Sequence, residues 1–483
     1  MSSGNAEGGK GPYFWVPGEE ADGEDIGDKP KKPESVGKLQ HGLYVKAKLE
    51  PEFRFYALYD KVYRPDVLRY AWALVENNHG APGVDGVTVG GFAVGVENRL
   101  DQLGKDLREK TYRPSAVRRV MIPKAGGGER PLGIPTVVDR VAQTAAKLVL
   151  EPIFEAGFLD EAHGYRPERS ALRAVKETHR ALMSGRTHVV DADLSKYFDT
   201  IPHDALMKSV ARRVSDGAML HLIKLWLEVP VEETDEQGRR GMKGNTGCGT
   251  PQGGVISPLL ANIYMHRFLR AWHLHDRPAA VRGRLVNYAD DFVILCPSRP
   301  EAEAALEWTR RVMTAIGLTV NEAKTRLCDA RRERFKFLGY EFGLCWSRRT
   351  GKPYLDVTPA KQAIQRIKAA IAALLRHGDM SELPKIVGRL NRRLRGWRGY
   401  FSYGDLQRSY RAINVYVYER VQAFLQRRHK VRTRGTRRFP WELIFGKIGV
   451  QELRAPRRGA GDDVTSRETS RRAGCGKAAS PVR

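Results

Sequence analysis

Cysteine is scarce in this chain. Five are spread over 483 residues (Cys248, Cys296, Cys328, Cys345 and Cys475), and none stands in a Cys-x-x-Cys pair. That spacing argues against both a disulfide framework and a four-cysteine zinc site. Long apolar runs are missing too; no stretch approaches the ~18 residues of a membrane span. The N-terminus, Met-Ser-Ser-Gly-Asn-Ala-Glu-Gly-Gly, has no apolar core behind a basic start and does not read as a secretory signal. Negative charge is in the minority, with 56 Asp+Glu against 82 Lys+Arg and a formal net charge of +26. Hydrophobic residues at 41% and aromatics at 9% are enough for a sizeable core, which excludes a chain disordered throughout. What remains reads as a soluble, intracellular, strongly basic protein of about three domains. The partner its charge calls for is a polyanion.

The charge is uneven. Residues 1–35 hold eight acids and four bases, are rich in Gly and Pro, and show no periodicity. This acidic N-terminal arm, taken as 1–45, reads as flexible or ordered only on binding. Residues 389–440 hold fifteen Arg/Lys and only Asp405 and Glu419 as acids, interleaved with Trp397, Tyr400, Phe401, Tyr403, Tyr410, Tyr416 and Tyr418. Uncompensated charge of that density, mixed with aromatics, is the footprint of a nucleic-acid-binding surface. The last stretch is Arg/Gly/Ser-rich and aperiodic, and 441–483 reads as a basic, DNA-binding-like tail.

Periodicity predicts one helix over 55–78, another over 100–109, and a hairpin of strands 116–123 and 131–135 around a glycine turn. Helices follow at 137–150 and 169–183, then a buried-type strand at 188–194 and a helix at 202–214. A helix opens at Thr250-Pro251 and runs to about Trp272. Two short strands flank Ala289-Asp290-Asp291, a helix spans 301–317, and a strand spans 335–342. After Pro359 the pattern is purely helical, with one apolar stripe at Ile364, Ile367, Ile371, Leu374 and Leu375 and further helices at 382–394 and 406–428. The fold class is therefore α+β followed by an all-helical basic region, with the boundary at the polar turn within 345–358.

Three acids stand inside apolar strand sequence. Asp193 follows Val189-Val-Asp-Ala192, and Asp290-Asp291 sits between Val286-Asn-Tyr288 and Phe292-Val-Ile-Leu295. A single strand-end Asp is ordinarily a turn or cap residue. Adjacent like charges in an apolar setting are costly without a cation. Mg²⁺ suits them, because it prefers carboxylate oxygens and shares its shell with substrate phosphates. A third carboxylate from another strand allows two ions about 4 Å apart.

These residues carry a resemblance. Tyr288-Ala-Asp-Asp291 is similar to the YxDD box of reverse transcriptases, and Asp193-Leu-Ser-Lys-Tyr-Phe-Asp199 resembles their upstream carboxylate motif. Thr250-Pro-Gln-Gly-Gly-Val-Ile-Ser-Pro-Leu-Leu-Ala-Asn262 resembles the template/nucleotide motif, Gly317-Leu-Thr-Val-Asn-Glu-Ala-Lys324 the lysine motif, and Phe337-Leu-Gly-Tyr340 the primer grip. Further blocks narrow the family: Gly80-Ala-Pro-Gly-Val-Asp-Gly86, Arg119 to Pro135, His163-Gly-Tyr-Arg-Pro167, and Arg395-Gly-Trp-Arg-Gly-Tyr-Phe401. Together they resemble group II intron-encoded reverse transcriptases (maturases), in the form lacking an HNH endonuclease domain, over about 55–440.

The resemblance implies a right-hand polymerase. Its parts would be an N-terminal extension and fingers (46–185), a palm with the catalytic carboxylates (186–345), and a helical thumb/maturase domain (359–440). It implies Asp193, Asp290 and Asp291 as catalytic and metal-binding residues, with the Leu194 carbonyl as a further ligand of two Mg²⁺ ions, Mn²⁺ being a possible substitute. Lys124, Arg130, Phe198, Gln252 and Lys324 would bind the dNTP, Phe198 as a steric gate against a ribose 2′-hydroxyl. Arg166, Gly253, Leu338, Gly339 and Tyr340 would contact template and primer. Arg392, Arg393, Arg395, Trp397, Arg398, Arg427 and Arg428 would bind RNA in the thumb. The implied partners are the group II intron RNA, target DNA, the RNA-template/DNA-primer duplex and dNTPs, with no membrane. The implied activity is RNA-directed DNA synthesis during retrohoming together with assistance to splicing, in a bacterial cytoplasm near the nucleoid. Two other readings stay open: a domesticated or CRISPR-associated enzyme of repair or spacer acquisition, and an RNA-binding splicing chaperone with a dormant polymerase.

Overall fold

The computed structural model describes residues 30–455 apart from 124–128, 235–236, 238, 245–246, 252, 275–280, 347–349, 377–380 and 433–436. The chain divides into two compact units, 1–357 and 358–483.

The first unit opens with five helices: α1 (Glu34–Leu49), α2 (Tyr59–Val62), α3 (Pro65–Glu76), α4 (Val89–Ala93) and α5 (Val96–Arg108). The acidic arm therefore does not extend to residue 45. Val36, Leu43 and Ala47 form a narrow apolar stripe that packs α1 onto a later helix, and the surrounding charges hide it in the sequence. The single helix expected over 55–78 is two. Pro65 lacks the N–H that would continue α2 and starts α3 instead.

Strands β1 (Val117–Pro123) and β2 (Glu129–Ile134) pair antiparallel as the expected hairpin. Then comes α6 (Val137–Glu155), whose residues are mostly buried and which receives α1, α2 and α3. Thr136 caps it, its hydroxyl accepting from the Asp139 N–H. After α7 (Ala171–Met183) and β3 (His188–Ala192) come the helices α8 (Tyr197–Thr200), α9 (His203–Ala211) and α10 (Gly217–Leu227). The strands β4 (Val231–Thr234) and β5 (Arg240–Lys243) extend the first hairpin into a sheet of order β2-β1-β4-β5.

Helix α11 (Ser257–His273) begins seven residues later than the sequence indicated. The proline in its first turn is Pro258, and the described residues between 250 and 256 form a loop. A four-stranded sheet follows from β6 (Arg284–Tyr288), β7 (Asp291–Cys296) and, after α12 (Arg299–Ala315), β8 (Arg326–Asp329), in the order β6-β7-β3-β8. Alternation along the strands sends Val190, Ala192, Phe292 and Ile294 into the core shared with α11 and α12, where Phe268 meets Phe292 and Trp308. Asp191, Asp193 and Asp291 fall on the opposite face.

The strand expected over 335–342 is a tight hairpin. Here β9 (Phe335–Phe337) turns into β10 (Tyr340–Trp346) through Leu338 and Gly339, both at positive φ (+51° and +76°). With β11 (Pro353–Pro359) they make a third sheet, so the stretch expected to hold the boundary includes strand, and the two units meet between 357 and 358, within β11.

The second unit packs α13 (Lys361–Leu374), α14 (Leu383–Tyr400) and α15 (Gln407–Arg428) around Ile367, Leu390, Leu394, Ile413 and Val417. The stretch after 440 is not wholly a tail. Glu442–Lys447 forms a short wide helix, and Val450 and Leu453 are buried in the same core. Two asparagines secure it. Asn391 bonds the Gly449 carbonyl and Gln451 N–H, and Asn414 bonds both backbone groups of Leu453.

Candidate active site

The β6–β7 hairpin builds the first part of the site. Tyr288 and Asp291 are the last ladder pair, leaving Ala289 and Asp290 as the turn. Ala289 sits at φ +58°, a conformation that costs a non-glycine residue of order 1–2 kcal/mol. Asn287 holds it there, its side-chain amide donating to the carbonyls of Ala289 (2.8 Å) and Asp291 (3.4 Å). Outside the sheet, the Asn287 backbone pairs with Glu161 and His163. Gly164 then lies so close that a Cβ would stand 2.6 Å from the Ala289 nitrogen. The Gly164 carbonyl in turn accepts from the Asn262 amide of α11 at 2.7 Å. The block 163–167 thus buttresses the acidic turn.

Asp193 reaches the same place from β3. Ala192 lies opposite Phe292, so the next step of the register sets Asp193 beside Asp291. Its carboxylate accepts from Lys324 Nζ at 2.7 Å and from the Asn321 amide at 3.3 Å. The Asp193 hydrogen bond, followed by the fields of Asp193, Asp291 and Asp290, raises the Lys324 pKa above its ordinary value. All three acids therefore act on one ammonium. Leu194 bridges Val320 through its neighbours' bonds, Ser195 N–H to Thr319 and Asn321 N–H to Asp193. The bridge thus leaves the Leu194 carbonyl out.

Around this end of the sheet stand three rings. Tyr165 lies edge-on to Phe198 (6.3 Å) and tilted against Tyr288 (6.4 Å). Phe198 is half-buried, and its carbonyl accepts from the Thr250 N–H at 2.7 Å, tying the 250–256 loop to the Asp193 segment. Gly253, at φ +111°, lets that loop pass against β2, because a Cβ there would strike the Gly133 carbonyl.

Several expected contacts fall elsewhere. Lys124, Gln252 and the Arg130 side chain lie outside the described residues. Arg166 is not placed to touch a template. Its side chain is 3% exposed, forms a fork with Glu155, and donates to the carbonyls of Leu159 and Ala162. It pins the loop that carries Gly164. Leu338 and Tyr340 are buried core side chains, so of the grip residues only the turn backbone around Gly339 reaches the surface. In the second unit Arg392, Arg395, Arg398, Arg427 and Arg428 are exposed, while Arg393 and Trp397 are half-buried. Burial lowers the Arg393 pKa, and Trp397 packs against Phe401 and Tyr410.

Sequence reasoning missed Asn287, Asn262 and Gly164 as structural residues of the site. Asn287 carried a usable signal, a polar side chain in an apolar strand beside the acid pair. Nearby, burial and then surrounding arginines drive the His163 pKa down to about 3, so this imidazole stays neutral.

Among the described residues, no three carboxylate, imidazole or thiol groups converge into a ready-made metal cage. The donors at the sheet end are three half-exposed carboxylates, hard oxygen ligands without sulfur or imidazole. Such a set fits Mg²⁺, or Mn²⁺ in its place, completed by water and phosphate oxygens, and it does not fit a zinc, copper or iron–sulfur site.

Comparison with known proteins agrees with this architecture. Residues 122–342 match the model of the reverse transcriptase (RNA-dependent DNA polymerase) family, and 364–440 match the group II intron maturase-specific domain. Protein YkfC of Escherichia coli is 33% identical over 377 residues, covering 70% of this chain and 96% of that protein. The group II intron-encoded protein LtrA of Lactococcus lactis is 37% identical over 215 residues, 44% of this chain and 34% of LtrA. A 91 kDa protein in the cob intron of Schizosaccharomyces pombe is 25% identical over 409 residues, 70% of this chain and 49% of its own length. The matched domains define a reverse transcriptase, an RNA-directed DNA polymerase, followed by a maturase-specific domain. The chain belongs to the family of group II intron reverse transcriptases/maturases. Among the described residues no helix is long and apolar enough to cross a membrane.

Proposed function

We propose that this protein copies a group II intron RNA into DNA during retrohoming and assists the splicing of that RNA. The observation that carries the reading is the convergence of Asp193, Asp290 and Asp291 on Lys324 at one end of a four-stranded sheet. Asp193, Asp290, Asp291 and the Leu194 carbonyl would hold two Mg²⁺ ions, which when bound neutralise charge at the attacking oxygen and the leaving pyrophosphate.

The protein's own residues supply position. The primer 3′-oxygen forms a bond to the α-phosphorus of the dNTP, its proton leaves, and the bond to pyrophosphate breaks. Phe198, packed edge-on against Tyr165 and Tyr197, would crowd a ribose 2′-hydroxyl. Lys324 holds its ammonium at the carboxylates and is within reach of a triphosphate. The Gly253 loop and the Gly339 turn offer backbone to template and primer. In the helical unit Arg392, Arg395 and Arg398 on α14, with Arg427 and Arg428 on α15, bind intron RNA through its phosphates and shape. The setting is the bacterial nucleoid, where target DNA is met.

The test is extension of a DNA primer on an RNA template with dNTPs and Mg²⁺, wild type beside Asp290→Ala, together with splicing of the intron RNA. Extension lost only in the variant, with splicing retained by both, supports the reading. A folded wild type that binds RNA and promotes splicing without extension refutes the polymerase role and favours a splicing chaperone.

A further inference from the structure

The first two turns of α6 hold three separate loops. The buried Asp139 carboxylate accepts from the Tyr112 hydroxyl (2.6 Å), the Thr136 hydroxyl (2.7 Å) and the Ser115 N–H (3.1 Å), fixing the base of the β1–β2 hairpin. Arg140 donates to the carbonyls of Pro135 and Ala81, fixing the 80–86 block. Gln143, one turn beyond Asp139 and 6% exposed, accepts from the Val255 N–H at 2.8 Å and the Ile256 N–H at 3.5 Å.

The loop that Gln143 holds is closed on itself by the Gly254 N–H and the Ser257 hydroxyl, both donating to the Pro251 carbonyl. It rests on β2 through Gly253 and Gly133, and at its start the Thr250 N–H bonds the Phe198 carbonyl. Gln143 is thus a side-chain clamp between the helix that mounts the hairpin and the loop tied to Phe198.

We infer that Gln143 is a positioning residue for nucleotide addition, setting the 253–256 loop, and through it Phe198, at the height at which an incoming dNTP is held. This rests on the polymerase reading. Without the Gln143 oxygen two backbone N–H groups lose their acceptor, and the loop relaxes off β2. Loss of one such buried acceptor corresponds to about a tenfold weakening of whatever the loop binds.

The experiment is single-turnover addition of one nucleotide to a primer on an RNA template, with dNTP and then rNTP varied. Gln143→Leu is compared with Val149→Ala, which opens a cavity in the same helix without touching the loop. The inference expects Gln143→Leu to raise the half-saturating dNTP concentration about tenfold, with the maximal rate within threefold of wild type and a lower preference for dNTP over rNTP. Val149→Ala lowers the melting temperature and leaves half-saturation where it was. Should Gln143→Leu melt below the assay temperature, Gln143→Met, unbranched and of similar volume, takes its place. Unchanged half-saturation in a folded Gln143 variant overturns the inference, as does an equal shift in Val149→Ala. A wild type that adds no nucleotide overturns the polymerase reading and this inference together.

Discussion

Gly164→Ala is the substitution through which the buttress of the acidic turn is best examined. The added Cβ would stand 2.6 Å from the Ala289 nitrogen and 3.2 Å from the Tyr288 carbonyl carbon. Both atoms are backbone, so no side chain can swing aside. Ordinary contact begins at about 3.4 Å, so the two segments must part by the better part of an ångström. The loop side is held by Asn262 through the Gly164 carbonyl and by Arg166 through Glu155 and two carbonyls. The Asp290 side is a two-residue turn. We expect the turn to yield, at an overpacking cost of ~1–3 kcal/mol. A shift of about 1 Å in catalytic geometry costs on the order of 100-fold in rate. The assay is single-turnover primer extension on an RNA template, with primer–template affinity measured separately. The expected result is a melting temperature lowered by several degrees, affinity within threefold, and a rate lowered by about 100-fold. A folded Gly164→Ala protein extending at the wild-type rate would refute the buttress.

Three further outcomes follow from the same structure. Arg166→Ala should destabilise by ~3–5 kcal/mol, because it strands Glu155 and frees the loop carbonyls. Chemical denaturation reads this; a weaker template affinity with unchanged stability would restore Arg166 as a nucleic-acid contact. Burial first, then arginine fields, depress the pKa values of His163 to about 3 and His266 to about 4, from 6.5. The unfolded chain therefore binds protons below pH 6.5 that the folded chain refuses. Their contribution to stability is full above that pH and falls, by up to ~1.4 kcal/mol per unit for each, down to about pH 4 for His266 and about pH 3 for His163. Denaturation at pH 7 and pH 5 should show this limb, and the pair His163→Gln and His266→Gln should flatten it. In the helical unit, alanine at Arg392, Arg395 and Arg398 should weaken RNA binding across sequences. The salt-dependence slope should fall by ~1 for each phosphate that is no longer neutralised. An unchanged slope would place the RNA elsewhere.

What was legible in the sequence was whatever the local pattern determines alone. Asp290 and Asp291 between two apolar runs read as a tight turn between two short strands, and Asp193 after Val189-Val190 as the end of a strand. The register that joins them is a long-range fact, which the family motifs supplied. The errors have physical causes. Arg166 reads as a surface cation by residue type, but Glu155 eleven residues earlier neutralises it in the interior. Tyr340 lies next to a glycine turn, yet the β9–β10 pairing directs its ring into the core. Helix α1 was obscured because its apolar stripe is only three buried residues wide. The roles of Gly164 and Gln143 were illegible for one shared reason. Each acts on backbone atoms of a segment remote in sequence, and no local periodicity records that.

The central claim is that three carboxylates at one end of the β6-β7-β3-β8 sheet act as a unit in nucleotide addition. Single-turnover incorporation of one dNTP on an RNA template, by the wild type and by Asp193→Asn, Asp290→Asn and Asp291→Asn, tests it most directly. The account predicts three variants that melt at or above the wild-type temperature and bind primer–template normally, each with incorporation lowered by at least about 1,000-fold. A folded variant at any of the three positions that retains a rate within tenfold of wild type would contradict it.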